Sequence, residues 1–475
     1  MPRTEIARNF SIQVFSRILG LLVGLVSIGI MTRTLGVHGF GEYTTALTYL
    51  QLFGVIVDFG LTLTLVVMIS EEHPDTERIV GNIFGLRMIA GAFVFGIAAL
   101  TILTIPWSNA IKQAVLVGTV GYVMMGGATL LVGVFQRYQA MWRAGIAEIV
   151  NRLVLLGFIA LFAYLNLGVA WMMGAGVIAN VVWLFAMIRL AKPFVHIRFL
   201  TDVTLWKHIW TRSWPIAISI FFNLLYLKGD ILFLGYFRSQ EEVGLYGVAY
   251  RVIDMLTALP VMFMGILLPL AVNHWSLGNQ KAFRSHVIRT FDLFMIAAVP
   301  IVVGTQAVAQ PLIELIAGPG YELSADILKL LILVVFGVFM GALFGHLVVA
   351  INKQKPMTWG YVAVAILSII GYFLVIPTYG VWGAAWMTLF SEGLIAIITF
   401  TVVYRITHVH PQFTIMFKAA FASLIMYGFL LFSPINNLVA NIFLAMSIYL
   451  FAMVILKGIK PEEIQSLMKR NKQLA

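Results

Sequence analysis

Two long apolar runs meet at a short polar turn in the stretch from Ser213 to Asp254, SWPIAISIFFNLLYLKGDILFLGYFRSQEEVGLYGVAYRVID. Each run extends over about 23 to 28 residues. At a rise of 1.5 Å per residue, this length is enough to cross a hydrocarbon core of about 30 Å. The stretch therefore predicts two membrane-spanning helices joined by a tight external turn.

Four charged residues lie inside these two runs, namely Lys228, Asp230, Arg251 and Asp254. An ionisable group at bilayer depth costs at least about 2.5 kcal/mol unless it faces a partner or a wet cavity. Measured from the outer turn, Lys228 and Asp254 lie about 14 and 16 Å deep, and Asp230 and Arg251 about 10 and 12 Å deep. Lys228 thus lies at about the depth of Asp254, and Asp230 at about the depth of Arg251, so the two helices could form crossed ion pairs. Arg251 and Asp254 share a helix face. Two interpretations stay open: structural neutralisation, or a wet lumen that binds an anionic ligand.

The composition is that of a polytopic membrane protein. Of 475 residues, 61% are hydrophobic and 11% are charged, whereas soluble domains have about 25% charged residues. The chain contains no cysteine, which excludes disulfides, thiolate metal sites and thiol nucleophiles. A net charge of +11 is explained by the positive-inside rule, so no nucleic-acid partner is expected.

About fourteen apolar runs long enough to span a membrane follow one another along the chain. The first, Phe10 to Met31, is too long for a signal-peptide core and is predicted to be an uncleaved span. Alternate loops place about 22 of the 31 Lys and Arg residues on the side of both termini and about 4 on the other. Both termini are therefore predicted to be cytoplasmic.

An internal repeat organises these runs. With a shift of about 203 residues, GEYTTALTYL (Gly41 to Leu50) matches GLYGVAYRVI (Gly244 to Ile253), and Ser27 falls opposite Asp230. Chance similarity of glycine-rich helices is the alternative. Parallel repeats place a substrate path between two lobes near the membrane midplane, with alternating access by rocking of the lobes. The predicted organisation is an N-lobe of six helices at 1–190, a linker at 191–212, a C-lobe of six helices at 213–405, two further helices at 406–456 and a basic cytoplasmic tail at 457–475.

The linker at 191–212 carries apolar and basic side chains at roughly helical spacing, including Trp206 and Trp210. This pattern predicts an amphipathic helix on the inner leaflet, with a solvated loop as the alternative. The tail at 457–475 is basic, and a surface helix and a disordered segment both fit it.

Other charged residues lie within or near the predicted spans. Arg17 is one or two turns inside the first span and faces either a cytoplasmic cavity or the headgroups. Arg87 and Arg152 fall within about one turn of cytoplasmic helix ends, which predicts snorkelling to the headgroups. Asp58 and Glu392 lie near mid-depth without an evident local partner. Both are candidates for ion coupling, with neutral, hydrogen-bonded structural acids as the alternative.

Motifs for nucleotide or metal chemistry are absent from the sequence. There is no GxxxxGK phosphate loop, no HExxH and no DxD. The one close histidine pair, His408 and His410, stands at a predicted cytoplasmic helix end, where a surface role is favoured over a metal site. We therefore expect no cofactor, no metal and no ATP hydrolysis, and we expect that the protein is not an enzyme.

Four stretches carry a family resemblance: FFNLLYLKGDILFLGYFRSQEEVGLYGVAYR, RTLGVHGFGEYTTALTYLQLFGVIVDFGL, GPGYELSADILKLLIL and IPTYGVWGAAWMTLFSE. They resemble the polysaccharide-biosynthesis (Wzx-like) oligosaccharide flippases of the multidrug/oligosaccharidyl-lipid/polysaccharide exporters, over nearly the whole chain. The resemblance implies a MATE-like, all-α membrane fold of fourteen helices, with the first, second, seventh and eighth lining a central lumen. Asp230 matches the acid of the seventh-helix motif, and the start of the eighth matches at Gly244, Tyr246, Ala249 and Tyr250.

The function implied is translocation of a polyprenyl-pyrophosphate-linked oligosaccharide to the outer leaflet of a prokaryotic plasma membrane, for cell-surface polysaccharide such as O-antigen. Candidate substrate-binding residues are Arg17, Lys228, Asp230, Arg251 and Asp254. Expected partners are membrane lipids and, beside the protein, a glycan polymerase or glycosyltransferases. A multidrug or peptidoglycan-precursor exporter is the nearest alternative. A membrane glycan polymerase or ligase is a second, although the sequence lacks the large external loop expected of one.

Overall fold

The computed structural model describes residues 3–71, 75–433, 435 and 437–459, so most of the predicted basic tail at 457–475 lies outside the described residues. Every regular element in the described part is a helix, which confirms the all-α prediction. The helices are α1 Arg3–Asp58, α2 Leu61–Met68, α3 Thr76–Thr104, α4 Asn109–Arg137, α5 Met141–Tyr164, α6 Val169–Ala191, α7 Val203–Phe237, α8 Gln240–Ser276, α9 Gln280–Ala317, α10 Glu322–Leu331, α11 Val334–Ala350, α12 Gln354–Thr407, α13 Thr414–Phe432 and α14 Leu438–Ile455.

Two of these helices are too long for a single crossing and are divided at a glycine. Helix α1 has 56 residues and α12 has 54, which correspond to about 80 Å each. Gly36 in α1 has φ 64° and Gly380 in α12 has φ 54°. This backbone conformation is readily available only to glycine. Each of the two helices therefore contributes two membrane crossings.

Ten helices within the described residues are long and apolar enough to span a membrane. Two of the ten are the divided helices α1 and α12. Helices α10 and α11, bent by 40° relative to each other, qualify together, and α7 with 35 residues is also long enough. The chain thus provides the fourteen crossings that the sequence predicts.

The second crossing is broken inside the membrane. Helix α1 ends at Asp58, Phe59 and Gly60 adopt positive φ angles of 44° and 71°, and α2 begins at Leu61. The apolar run predicts one uninterrupted helix here. A helix end within the hydrocarbon region leaves carbonyl groups that need partners from other helices. The break therefore creates a requirement for a buried donor.

Helix α7 begins earlier than its apolar run. The side chain of Asp202 accepts hydrogen bonds from the backbone N–H groups of Thr204 and Leu205, at 3.0 and 3.2 Å, and this cap starts the helix. Residues 203–212 form the first turns of α7, whereas 195–202 are not helical. The linker is thus not a separate surface helix, and its placement on the inner leaflet stays a prediction.

The chain divides into two compact units, residues 1–247 with 316–320, and residues 248–315 with 321–475. In unit 1, α4 packs on α6 and α1 packs on α5, around cores that include Leu50, Leu65 and Phe135, all fully buried. In unit 2, α11 packs on α12 and α13 packs on α14. The lobe boundaries given by the sequence stay a prediction.

Candidate functional site

Helices α1 and α8 cross at a pair of glycines in unit 1. A Cβ atom on Gly41 would collide with the carbonyl oxygen of Gln240, and one on Gly244 would collide with that of Val37. The contacts are reciprocal, because 37 and 240, like 41 and 244, are separated by the 203 residues of the sequence repeat. We call these four residues the glycine crossing. Side chains larger than hydrogen would not allow backbones to approach so closely.

Polar side chains cover the glycine crossing. His38 Nδ1 lies 2.6 Å from Glu241 Oε1, again 203 residues along the chain. The Ser108 hydroxyl donates a hydrogen bond of 2.5 Å to Glu42, which is 6% exposed. Thr45 donates to the Gln240 side-chain oxygen at 2.7 Å. The first pair is exposed to solvent, whereas the Glu42 carboxylate lies beneath the surface.

Two long side chains fasten neighbouring segments to this region. Arg33 Nη1 donates to the carbonyl oxygens of Ile316 at 2.9 Å and Gly29 at 3.0 Å. Trp107 Nε1 donates to the carbonyl oxygen of Gly235 at 2.8 Å. These hydrogen bonds attach the segment 316–320 to α1 and the end of α7 to the loop before α4.

Two charged residues in the apolar part of α7, Lys228 and Asp230, are buried. Asp230 is 0% exposed and accepts a hydrogen bond of 2.6 Å from the Tyr246 hydroxyl. It also accepts from the backbone N–H of Ile231 at 2.8 Å. Lys228 is 8% exposed. The hydrogen bond between Asp230 and Tyr246, both of which match the family motifs, thus connects α7 to α8. Contact of Asp230 with the substrate stays a prediction.

The charged residues of α8 in unit 2 are more accessible. Arg251 Nη1 lies 3.9 Å from Asp254 Oδ2, and their side chains are 24% and 35% exposed. The prediction that both share one helix face is confirmed. The crossed pairs predicted for Lys228 with Asp254, and for Asp230 with Arg251, involve residues of different units and stay a prediction.

Asp58 has a partner that is not evident from the sequence. Arg87 Nη1 lies 2.9 Å from Asp58 Oδ1 and donates to the carbonyl oxygen of Val57 at 2.6 Å. Its Nε donates to the carbonyl oxygen of Gly126 at 3.3 Å. Arg87 is 4% exposed and supplies the buried donor that the break after Asp58 requires. The role of Asp58 in ion coupling stays a prediction.

The prediction that Arg87 and Arg152 reach the headgroups from helix ends is wrong. Helix α3 begins at Thr76 and α5 at Met141, so each arginine lies eleven residues, about 16 Å, inside its helix. Polar first turns made both helices appear to start later. The Arg152 side chain is 40% exposed, and its Nη2 lies 3.7 Å from Glu148 Oε1.

Two further candidates complete the predicted set. Glu392 is 5% exposed in unit 2. Gly337 packs closely against it, because a Cβ on Gly337 would lie 3.1 Å from the Cβ of Glu392. Its ion-coupling role stays a prediction. Arg17 belongs to α1, but its side chain lies outside the described residues.

A family model described as "Polysaccharide biosynthesis protein" matches residues 6–274, more than half of the chain. The chain belongs to this family. Among curated protein sequences, none matches significantly.

Solved structures show the fold of this polysaccharide biosynthesis protein. The lipid II flippase MurJ in an inward closed conformation superposes with a TM-score of 0.77 at 14% identity, covering 94% of this chain and 98% of that one. An inward-facing multidrug resistance MATE transporter of the MOP superfamily gives 0.65 at 13% identity, covering 83% and 94%. The MATE multidrug transporter DinF-BH gives 0.62 at 16% identity, covering 85% and 96%. The family resemblance and the MATE-like fold are confirmed.

Proposed function

We propose that this protein moves a polyprenyl-pyrophosphate-linked oligosaccharide from the cytoplasmic to the outer leaflet of a prokaryotic plasma membrane. The observation that carries the proposal is the partly exposed pair Arg251–Asp254. Arg251 lies eleven residues after the start of α8, about 16 Å into the helix. Charges exposed at that depth require water or a polar cargo beside them. Membership of a polysaccharide biosynthesis family favours a lipid-linked sugar as that cargo.

The cargo poses a physical problem without covalent chemistry. A pyrophosphate and many hydroxyl groups have to cross hydrocarbon, while the polyprenyl chain is already soluble in it. In the proposal, Arg17 and Lys228 of unit 1, and Arg251 of unit 2, are each a candidate to donate a charge-assisted hydrogen bond to the pyrophosphate during its passage. Asp254 accepts hydrogen bonds from sugar hydroxyls, and Asp230 positions α7 and α8 through Tyr246. No catalytic residue or cofactor is needed.

Transport then proceeds by alternating access. The positive-inside assignment puts both termini in the cytoplasm and the glycine crossing on the external side. Release to the outer leaflet requires α1 and α8 to separate there, which breaks the His38–Glu241 and Ser108–Glu42 hydrogen bonds. Asp58 and Glu392 are the candidates for coupling this movement to an ion.

The expected surroundings follow from the cargo. Membrane lipids surround the spans, glycosyltransferases build the oligosaccharide on the cytoplasmic side, and a glycan polymerase uses it after transfer. These partners belong to the proposal, as does a role in O-antigen or similar surface polysaccharide.

The test is reconstitution in liposomes without ATP. The protein should expose a polyprenyl-pyrophosphate oligosaccharide in the inner leaflet to an external glycosidase, and Arg251→Gln should slow this exposure roughly tenfold or more. Lys112, predicted to lie in an external loop, is in the first turn of α4; Lys112→Gln is the matched control and should transport normally.

Other outcomes select the alternatives. Passage of a fluorescent cationic drug without the glycolipid would favour a multidrug exporter, and preference for lipid II would favour a peptidoglycan-precursor exporter. Lengthening of the oligosaccharide would favour a glycan polymerase or ligase.

A further inference from the structure

Arg152 stands apart among the charged residues of unit 1 because it is deep and yet accessible. It lies eleven residues after the start of α5, a helix of 24 residues, so it is about 16 Å from one end and close to the middle. Its side chain is nevertheless 40% exposed. An arginine at mid-depth is too far from either helix end to place its guanidinium among the headgroups, so it requires a wet cavity or an anionic partner.

The described part of the protein gives Arg152 one distant anionic partner. Among the described residues, Glu148 is the single acidic neighbour, and the distance of 3.7 Å between Arg152 Nη2 and Glu148 Oε1 exceeds a hydrogen bond. Arg152 Nε is inaccessible to solvent and has no acceptor in the described part of the chain. A guanidinium carries five N–H donors in a planar fork. The Nε–H is too buried to reach a ligand, so the Nη groups are the donors that Arg152 offers to one.

Helix α1 presents glycine rather than a bulky side chain next to Arg152. The facing residue of α1 is Gly20, where a Cβ would lie 3.7 Å from Arg152 Nε. One turn along α1, a Cβ on Gly24 would have no described atom within 4 Å. Asn151, adjacent to Arg152, is buried and donates to Asn180 Oδ1 at 3.3 Å, so the same side of α5 is polar at this level. The side chains of residues 148, 151 and 152 span about 100° of the helix circumference.

We propose that Arg152, opposite Gly20, is a subsite for a phosphate or pyrophosphate group carried by a lipid. The proposal rests on the proposed function, because it assigns a headgroup contact to a residue outside the predicted set. The planar fork matches phosphate oxygens bidentately. Glu148 acts as a loosely held counter-ion in the empty state, and the phosphate displaces it. Glu148 therefore opposes binding, while Arg152 promotes it.

Binding of a short pyrophosphate lipid to the full-length protein in nanodiscs tests this assignment. The probe is farnesyl pyrophosphate, with farnesol and inorganic pyrophosphate as separate arms measured by calorimetry. Arg152→Gln should weaken farnesyl pyrophosphate roughly ten- to a hundredfold, and Glu148→Gln should strengthen it severalfold. Gly20→Leu, which puts a bulky side chain against Arg152 Nε, should weaken it. Farnesol should not respond to any of these changes.

Opposite signs for Arg152→Gln and Glu148→Gln separate a ligand site from a structural ion pair, in which both changes would harm the protein alike. If Arg152→Gln does not fold, Arg152→Lys and Glu148→Gln give the same comparison. Equal binding by the wild type and both variants overturns the inference. Tight binding of inorganic pyrophosphate alone overturns the assignment to a lipid.

Failure of the proposed function looks different from failure of this inference. A protein that translocates glycolipid equally well with Arg152→Gln, and binds farnesyl pyrophosphate unchanged, retains the flippase function and lacks the subsite. A protein that binds farnesyl pyrophosphate through Arg152 but never translocates the glycolipid retains the subsite and loses the flippase function.

Discussion

Arg87 and Arg152 lie at the same distance from the starts of their helices in unit 1, and the protein gives them different numbers of partners. Each is eleven residues from the start of its helix. Arg87 is 4% exposed and reaches one carboxylate and two carbonyl oxygens. Arg152 is 40% exposed and has one distant carboxylate. The position of an arginine along its helix therefore does not decide its role; the number of partners that the protein itself provides does.

The first arginine is part of the architecture. The break after Asp58 removes the helical partners of the last carbonyl groups of α1, and Arg87 replaces them. Within the break, Phe59 stacks on Trp210 with ring centroids 4.4 Å apart. After the break, the Thr64 and Ser213 hydroxyls are 2.9 Å apart. Arg87 thus stabilises a bend that the start of α7 also braces.

The largest expected effect compares the two arginines directly. Arg87→Gln should destabilise the protein by about 3–5 kcal/mol, because it removes the donor to the Val57 and Gly126 carbonyl oxygens in a buried site and the charged partner of Asp58. Arg152→Gln should change stability by less than about 1 kcal/mol, since a loose and exposed pair contributes little. Thermal unfolding in detergent measures both. Equal losses would contradict the distinction between a structural and a ligand-binding arginine.

A second buried and fully partnered charge extends the comparison. Tyr246→Phe removes the hydroxyl that donates to Asp230 and should cost about 1.5–3 kcal/mol, as expected for a hydrogen bond to a buried carboxylate. Tyr164→Phe changes an 84% exposed side chain and is the matched control. Unfolding that is equally affected by both changes would contradict the role given to Asp230.

The glycine crossing offers a third test, in which packing replaces charge. Gly41→Ala and Gly244→Ala should each destabilise the contact between α1 and α8 by about 1–3 kcal/mol, because the new methyl group overlaps a carbonyl oxygen. Gly24→Ala has free space and should be neutral. The measurement is reaction of a cysteine introduced at Glu42 with an external thiol reagent, which should be faster in the two destabilised variants. The absence of native cysteines makes this readout unambiguous.

The smallest effect is expected at the exposed ion pair of the linker. Arg78 Nη2 lies 2.6 Å from Asp202 Oδ2, and this hydrogen bond, with those from Leu205 and Thr204, lowers the pKa of Asp202 below its ordinary value. The pKa of Asp202 is lower in the folded than in the unfolded protein. The ion pair therefore stabilises the folded state above the ordinary pKa of about 3.9, and this stabilisation is lost as pH falls through the folded-state pKa.

The matched variant for that prediction is Asp202→Asn. Asparagine still caps a helix but has no charge to titrate. Thermal unfolding measured between about pH 6 and 3 should therefore show a slightly weaker acid dependence than in the wild type. An unchanged profile would show that the pair has no measurable effect on stability.

The sequence predicts the membrane fold well because hydrophobic length and charge bias are local signals. Its 203-residue repeat also pairs Gly41 with Gly244, which the structure brings together. It fails at Arg87 and Arg152, because α3 and α5 begin with polar turns that look like loops. It also misses the partner of Asp58, since Arg87 comes from another helix. The break at Phe59 is missed as well, because Gly60 is one of 41 glycines and does not by itself announce a helix end. Such features depend on contacts between segments, and hydropathy does not encode them.

The reciprocal contact at the glycine crossing has the form of an interface between identical subunits. In a two-fold dimer, residue i of one copy meets residue j of the other, and j meets i in turn. Val37 with Gly244 and Gln240 with Gly41 repeat this pattern within one chain. The contact is thus consistent with descent from a half-length protein that paired with its own copy before the two genes were fused. The two repeats are not identical, and Asp230 stands where the first repeat has Ser27.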